Sequence, residues 1–323
     1  MKRIICFIVF PLFLLADYTH FDGGLGLGYR QDKIVSIQTQ TIPVVLQGTQ
    51  DLLSLDWHKL RSVDLTGFCK LYVRNIMMQA QGNIGWIQSG DLEFLANFVN
   101  PPTIIIPFRI HSKVKGYVWD GLWSAGYAIP LVPGRSLLFF VPQAGYSINY
   151  QKLQKKTSET VVGSDPNTGI VLTVQAFLPE NEFRRKWQGW FVGGDILFDL
   201  ADWVVEFGYF RHYPHFLEKQ RLINRFILSP IGTDLFQQIA LRASENGGKG
   251  HRLQGRVRYS FTDLIKLEVL SGYLYFKGPK VHATALQELT SNTGITHGPI
   301  TNINLSRADW HSFFITLQFV LGF

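Results

Sequence analysis

The sequence predicts an all-β fold: a transmembrane, antiparallel, up-and-down β-barrel of about ten strands. Three observations lead there. The first is the last stretch, residues 310–323. Phe313, Ile315, Leu317, Phe319, Leu321 and Phe323 share one parity, and Phe314, Thr316, Gln318, Val320 and Gly322 share the other. An unbroken apolar stripe at period two is a strand with one face in an apolar medium. In water such an edge would aggregate, whereas a strand closing a barrel in lipid has both edges paired. The second is an alternation of long and short connections, developed below. The third is composition. The 323 residues are 46% hydrophobic and 14% aromatic, yet mean hydropathy is only +0.07. No internal apolar run approaches the ~20 residues a membrane helix needs. Lipid-facing and lumen-facing residues that alternate account for both facts.

The N-terminus reads as an export signal. Lys2 and Arg3 form a basic start, Ile4, Phe7, Val9 and Leu15 belong to an apolar core broken only by Pro11, and Ala16 is a small residue before Asp17. That is the shape of a secretory signal peptide over residues 1–16, too short to span a membrane, followed by a barrel over residues 17–323. Its loss removes Lys2 and Arg3 and lowers the formal charge from +7 to +5. Only Cys69 then remains, so no intrachain disulfide is expected, and Cys69 reads as a small apolar residue on a strand.

The strands follow in order. Residues 17–23 read as a leader. The first strand, 24–38, carries Leu25, Leu27 and Tyr29 on one face and Gly24, Gly26 and Gly28 on the other, where glycine leaves room in a narrow lumen. Residues 39–52 read as a loop, 53–69 as strand two and 70–72 as a tight turn. Strand three, to residue 88, sets Ile76, Met78, Ala80, Ile84 and Trp86 outward against Asn75, Gln79, Gln81 and Asn83, the polar lumen face in its clearest form. A long connection covers 89–112, with Pro101, Pro102 and Pro107. Strand four, 112–128, shows Tyr117, Trp119, Trp123 and Tyr127 on one face. After a turn at Pro130 and Pro133-Gly134, strand five shows Leu138, Phe140, Ala144, Tyr146 and Ile148 outward. Residues 153–183 read as a long loop. Strand six, 184–199, sets Trp190, Val192, Ile196 and Phe198 against Asp195. Strand seven sets Trp203, Val205, Phe207, Tyr209 and Tyr213 against Glu206 and His212. A long polar loop then reaches Gly250. Strand eight opposes Leu253, Val257, Tyr259 and Phe261 to Arg252, Arg256 and Arg258. Strand nine opposes Ile265, Leu267, Val269, Tyr273 and Tyr275 to Lys266 and Glu268. The last long loop is 279–306.

Long connections thus follow the odd strands and short ones the even strands, as in an outer-membrane barrel with periplasmic turns and external loops. A soluble β-sandwich has no reason for that asymmetry. The inward charges expected in the lumen are Asp56, Asp120, Asp195, Glu206, Arg252, Arg256, Arg258, Lys266 and Glu268. Facing lipid at midplane, one Arg or Lys would cost roughly 2–4 kcal/mol. Facing inward, opposite charges pair and hydrate, and the favoured reading is a structural ion network in a narrow barrel. The sharper one is a charged constriction that selects small solutes. The basic residues are scattered over loops and lumen, so no nucleic-acid partner is expected. The expected partners are outer-membrane lipid and, through the last strand ending in Phe323, the barrel-assembly machinery.

The segments Ser54-Leu55-Asp56-Trp57 with Gly85-Trp86, residues 187–195, residues 202–213 and Asp309-Trp310-His311-Ser312 resemble the chlamydia-type (Protochlamydia) outer-membrane protein family, over most of the mature chain. They are similar, more weakly, to omptins, the ten-stranded outer-membrane proteases. The first resemblance implies the outer membrane and a porin or surface-protein role. The second implies an Asp-x-Asp pair after strand three facing an Asp-x-His pair after strand seven. Here the first region offers Asp91 and Glu93 out of register, and the second offers His212 and His215 with no Asp two residues before either. These side chains read as solvated rim groups. Gly-x-Ser-x-Gly, His-Glu-x-x-His, a phosphate loop and a Cys cluster are all missing from the sequence, and two His alone are too few ligands for a metal site. The expectation is a non-enzymatic barrel without cofactor or metal, a narrow porin or structural surface protein, with an omptin-like protease of altered or lost catalytic residues as the alternative.

Overall fold

The computed structural model describes residues 19–41, 49–100, 104–132, 137–155, 159–164, 171–176, 181–229, 233–291 and 294–323. The expected signal peptide lies outside these. Fifteen strands form one antiparallel sheet. They are β1 (Thr19–Thr41), β2 (Thr49–Val73), β3 (Ile76–Asn100), β4 (Ile104–Tyr127), β5 (Ile129–Pro130), β6 (Leu138–Lys155), β7 (Glu159–Ser164), β8 (Val171–Ala176), β9 (Glu182–Leu200), β10 (Trp203–Ser229), β11 (Thr233–Glu245), β12 (Lys249–Ser260), β13 (Ile265–Lys277), β14 (Val281–Ser291) and β15 (Gly294–Gly322).

The sheet closes on itself. β1 pairs with β15 from Asp22↔Gly322 to Gln40↔Ile303, and the ring runs β1-β2-β3-β4-β6-β9-β10-β12-β13-β15. The remaining segments lengthen this ring rather than widen it. β10 pairs with β12 along its lower part and with β11 along its upper part. β15 does the same with β13 and β14. β8 continues the β9 side of β10 upward, and β7 pairs with β8. The barrel is therefore ten long staves, some interrupted. β2 has 25 residues, against about 9–11 needed to cross a bilayer, so much of each stave stands clear of the membrane.

Register is fixed by lipid on one face and a crowded lumen on the other. Outward side chains form an apolar belt: Leu25 and Leu27 on β1, Trp190 on β9, Phe207 on β10, Leu253 on β12 and the Phe313–Phe323 parity on β15 are all exposed. Inward, β1 carries Gly26 and Gly28 because its neighbour fills that space. A Cβ at Gly26 would meet Gln318 Cγ at 2.6 Å, and one at Gly28 would meet Thr316 Oγ1 at 2.6 Å. The periplasmic hairpins are tight. Arg74 and Ala201, each at φ 54°, adopt the positive φ that matches a two-residue turn to strand twist.

Several sequence boundaries are corrected. The leader is part of β1, which begins at Thr19, and the 70–72 turn is part of β2, with the chain reversing at Arg74 and Asn75. The described parts of the loops expected at 39–52, 89–112, 153–183 and 279–306, and of the one expected after strand seven up to Gly250, are largely strand. The physical reason is common to all of them. Above the lipid, neither face of a stave has to be apolar, so the alternation that reveals a strand fades while the hydrogen-bond ladder continues.

Above the apolar belt the outward face becomes charged. Lys152 Nζ and Arg184 Nη2 each lie 2.6 Å from Glu182. Burial alone would raise the Glu182 carboxyl, but the hydrogen bonds from Arg184 and Lys152 outweigh it and hold the group below its ordinary 4.5. A depressed folded value stabilises the fold above pH 4.5 and loses that contribution as pH falls through the folded value. Unfolding titrations of wild type and Glu182→Gln should therefore differ at pH 7 and converge in acid. A difference that persisted undiminished in acid would show that the charge is not the cause.

Candidate functional site: a filled lumen

The lumen is occupied by side chains at three heights. At the periplasmic end, seven charged groups alternate in sign through continuous ion pairs: Lys70, Glu206, Arg256, Glu268, Arg258, Asp22, Lys266. Successive distances are 3.0 Å for Lys70–Glu206, 2.8 Å for Glu206–Arg256, 2.8 Å for Arg256–Glu268, 2.7 Å for Glu268–Arg258, 2.5 Å for Arg258–Asp22 and 2.8 Å for Asp22–Lys266. β2 and β10 lie on opposite walls of the ring, so the Lys70–Glu206 contact crosses the whole lumen. Each carboxylate accepts from two cations, which is how buried charges are kept satisfied.

The middle height holds Arg30, whose Nε lies 3.0 Å from Asp64 and whose Nη2 contacts Asp120. Asp195 accepts from Gln143 Nε2 and, at 3.4 Å, from Gln254 Nε2. Arg252 lies over the Phe314 ring, 5.6 Å from its centroid. Between Arg30, Asn83, Asp120, Asn149, Arg252 and Phe314 a cavity of about 20 Å³ remains, room for a single water.

The upper height is apolar. Trp57 from β2 meets Phe183 from the opposite wall with ring centroids 4.1 Å apart, and Trp187 packs on Phe216 and Phe276 at 4.7 and 5.4 Å. Phe276 stacks on Trp310 at 5.4 Å. Among these rings, between Phe183 and Trp187 on β9, a polar strut crosses again. Arg185 and Glu218 are both fully buried. Arg185 Nε donates to Glu218 Oε2 at 2.8 Å, Nη1 to the Asp309 carbonyl at 2.9 Å and Nη2 to the Val35 carbonyl at 3.1 Å. Glu218 Oε1 accepts from Ser36 at 2.7 Å and Gln220 at 2.5 Å, and Gln38 donates to Gln220 at 2.8 Å.

Of the residues expected inside, Asp120, Asp195, Glu206, Arg252, Arg256, Arg258, Lys266 and Glu268 point into the lumen. Asp56 does not. Lys59, at φ 52°, sits in an irregularity between His58 and Arg61. The extra residue reverses parity, as a bulge does. Below it Ser62, Asp64 and Thr66 are buried, and above it Leu55 and Trp57 are, so Asp56 faces outward to Lys33 at 3.3 Å. The residues that sequence reasoning missed are Asp22, Arg30, Asp64, Lys70, Arg185 and Glu218. Lys70 was hidden by the misplaced turn. Arg30 and Asp64 share the inward parity of Gly28 and Thr66, a signal that was present in the sequence.

The omptin-type positions do not converge. Asp91 faces outward to Lys113 at 2.6 Å. His215 is at the rim, bonded to Asn246 and Ser244. His212 is corrected from rim to lumen: it is buried, 2.9 Å from Ser147 and packed on Phe191 and Phe276. Among the described residues, no three His, Cys, Asp or Glu side chains gather as a metal site.

A closed ring of ten staves with an apolar outer belt and a charged interior defines an integral outer-membrane β-barrel. Residues 24–323 match the profile of the family described as Protochlamydia outer membrane protein (Pom), and the chain belongs to that family. No curated protein matches it. Among solved structures it is similar to the outer membrane protease OmpT from Escherichia coli, at 12% identity and a TM-score of 0.64, over 94% of this chain and 96% of that one. That likeness shows the fold. The toluene transporter TodX of P. putida is matched at 10% identity, covering 95% of this chain and 90% of that one, with a TM-score of 0.31, too low to carry an argument.

Proposed function

We propose that this barrel is a non-enzymatic, non-conducting surface protein that carries a strand-built extracellular rim above the outer membrane. One observation supports it above the rest: Lys70 and Glu206 meet at 3.0 Å from opposite walls, beneath a separate apolar layer in which Trp57 and Phe183 also meet across the lumen. A solute would have to break buried ion pairs and then displace packed aromatic rings. Against the protease alternative stand the outward Asp91 and the enclosed His212.

The test is planar-bilayer recording of the refolded protein, combined with incubation against a dibasic peptide. The expected result is no conductance above that of the bare membrane and no cleavage. Stepwise unitary currents would overturn the non-conducting reading. Cleavage that disappears in a His212→Ala, His215→Ala double variant would overturn the non-enzymatic one.

A further inference from the structure

We infer that the outward face around Arg211, Lys249 and Lys277 binds the phosphate of an acidic lipid headgroup. The cross-strand registers put these residues in two adjacent rows. One runs Arg211↔His251↔Tyr275↔His311↔Lys33 across β10, β12, β13, β15 and β1. Two residues further up the staves, Lys249 stands directly opposite Lys277.

Height selects the ligand. Directly below the first row lie Tyr209, Leu253, Tyr273 and Phe313, all exposed and at the top of the apolar belt. From Leu253, two residues of strand lead to His251 and four to Lys249. At ~3.3 Å per residue and a tilt of ~40°, these rise roughly 5 and 10 Å. The headgroup region beyond the hydrocarbon is about 5–8 Å thick, and lysine side chains reach along it. Along β12, His251 and Lys249 therefore flank the level of lipid phosphates, and Lys277 stands beside Lys249.

Charge selects it again. Like charges directly opposite on neighbouring strands are unfavourable, and no carboxylate lies within ion-pair distance of Arg211, Lys249 or Lys277 among the described residues. Of the carboxylates nearby, Asp56 pairs through one oxygen with Lys33 at 3.3 Å, and Asp309, which stands opposite Lys277 in register, pairs instead with Arg307 at 2.5 Å. Elsewhere on the outward face several basic residues have their own acids, as Lys113 has Asp91 and as Lys152 and Arg184 share Glu182. An anion between Lys249 and Lys277 would relieve their repulsion.

The remaining groups of the row are donors. The Tyr209 hydroxyl lies 2.7 Å from His251 Nδ1, and the Tyr273 hydroxyl 2.6 Å from His311 Nδ1. With each phenol donating, each imidazole carries its proton on Nε2. The Tyr275 ring lies against both imidazoles, 6.4 Å from His251 and 4.7 Å from His311 between ring centroids. The row offers hydrogen bonds outward with a guanidinium at its end, the complement of phosphate oxygens.

The full chain, refolded into phosphatidylcholine vesicles containing spin-labelled phosphatidylglycerol, phosphatidic acid or phosphatidylcholine, tests this. The fraction of motionally restricted label reports which lipid the barrel retains. Wild type should prefer both acidic lipids over phosphatidylcholine, and Lys249→Gln with Lys277→Gln should cut that preference by roughly 30-fold, since each surface lysine attracts acidic lipid at about 1 kcal/mol. Lys113→Gln should leave it intact. The preference should also collapse in high salt, a wild-type readout that stands if the double variant does not fold. No preference in wild type, a preference retained in the folded double variant, or one insensitive to salt would overturn the proposal. Loss of the preference on adding inorganic phosphate, but not chloride at equal ionic strength, would reassign the site to free phosphate and overturn the lipid assignment.

Discussion

Glu206→Ala is expected to cost the barrel about 3–5 kcal/mol, the range for removing one partner of a buried ion pair. Glu206 is buried and accepts from Lys70 Nζ at 3.0 Å and Arg256 Nη1 at 2.8 Å. Arg256 keeps Glu268 at 2.8 Å. Lys70 keeps nothing of opposite charge among its ion pairs, so the cost falls on an ammonium group left in the lumen. Adding Lys70→Met should recover much of the loss, because the orphaned charge goes with it. The check is a urea titration of vesicle-embedded protein, read by tryptophan fluorescence. If the single variant lay within about 0.5 kcal/mol of wild type, the ion chain would be a hydrated and dispensable feature. Conductance gives an independent readout. Glu206→Ala opens a gap only in the lowest layer, so the folded variant should still pass no current while the Trp57–Phe183 layer above it is intact.

The parts of this fold that the sequence discloses are those for which lipid supplies the contrast. Phe313 to Phe323 alternate with Thr316 and Gln318 because one parity touches hydrocarbon, and Arg252, Arg256 and Arg258 are legible as lumen residues because Leu253 and Val257 between them are not. Two effects hide the rest. A single irregular residue is enough to invert parity, and Lys59 does so within β2, which moves Asp56 outside and Leu55 and Trp57 inside. No turn signal marks Lys59. Above the bilayer the contrast itself disappears. Arg185 is buried, but its neighbours Arg184 and Lys186 are charged as well, so alternation cannot tell which of the three turns inward. Closure across the lumen, as between Gln38 and Gln220, depends on which walls face each other, and that is a property of the completed ring.

Arg185→Met should be as costly as the loss of Glu206, about 3–5 kcal/mol, although Arg185 lies beyond the lipid. The guanidinium is fully buried and bridges three staves, through Glu218 on β10, the Asp309 carbonyl on β15 and the Val35 carbonyl on β1. It also lies over the rings of Phe183 and Phe216, at 5.1 and 5.7 Å. Methionine keeps part of the packing against those rings, so the loss reports mainly the Glu218 carboxylate left with neutral donors from Ser36 and Gln220. Arg185→Met combined with Glu218→Leu should be markedly less destabilised than the single variant, since both charges are then gone and the apolar layer of Trp187 and Phe216 can extend into their place. The two variants also separate the layers in space. A break at Arg185 releases the upper staves, where β1 and β15 are tied to β9 and β10, without touching the ion chain below. Limited proteolysis of the refolded protein should therefore cut Arg185→Met in its extracellular half at protease levels that spare wild type, while the membrane-embedded fragment stays protected. Cleavage no faster than wild type, with an unchanged urea midpoint, would mean that the strut contributes nothing to holding the rim closed.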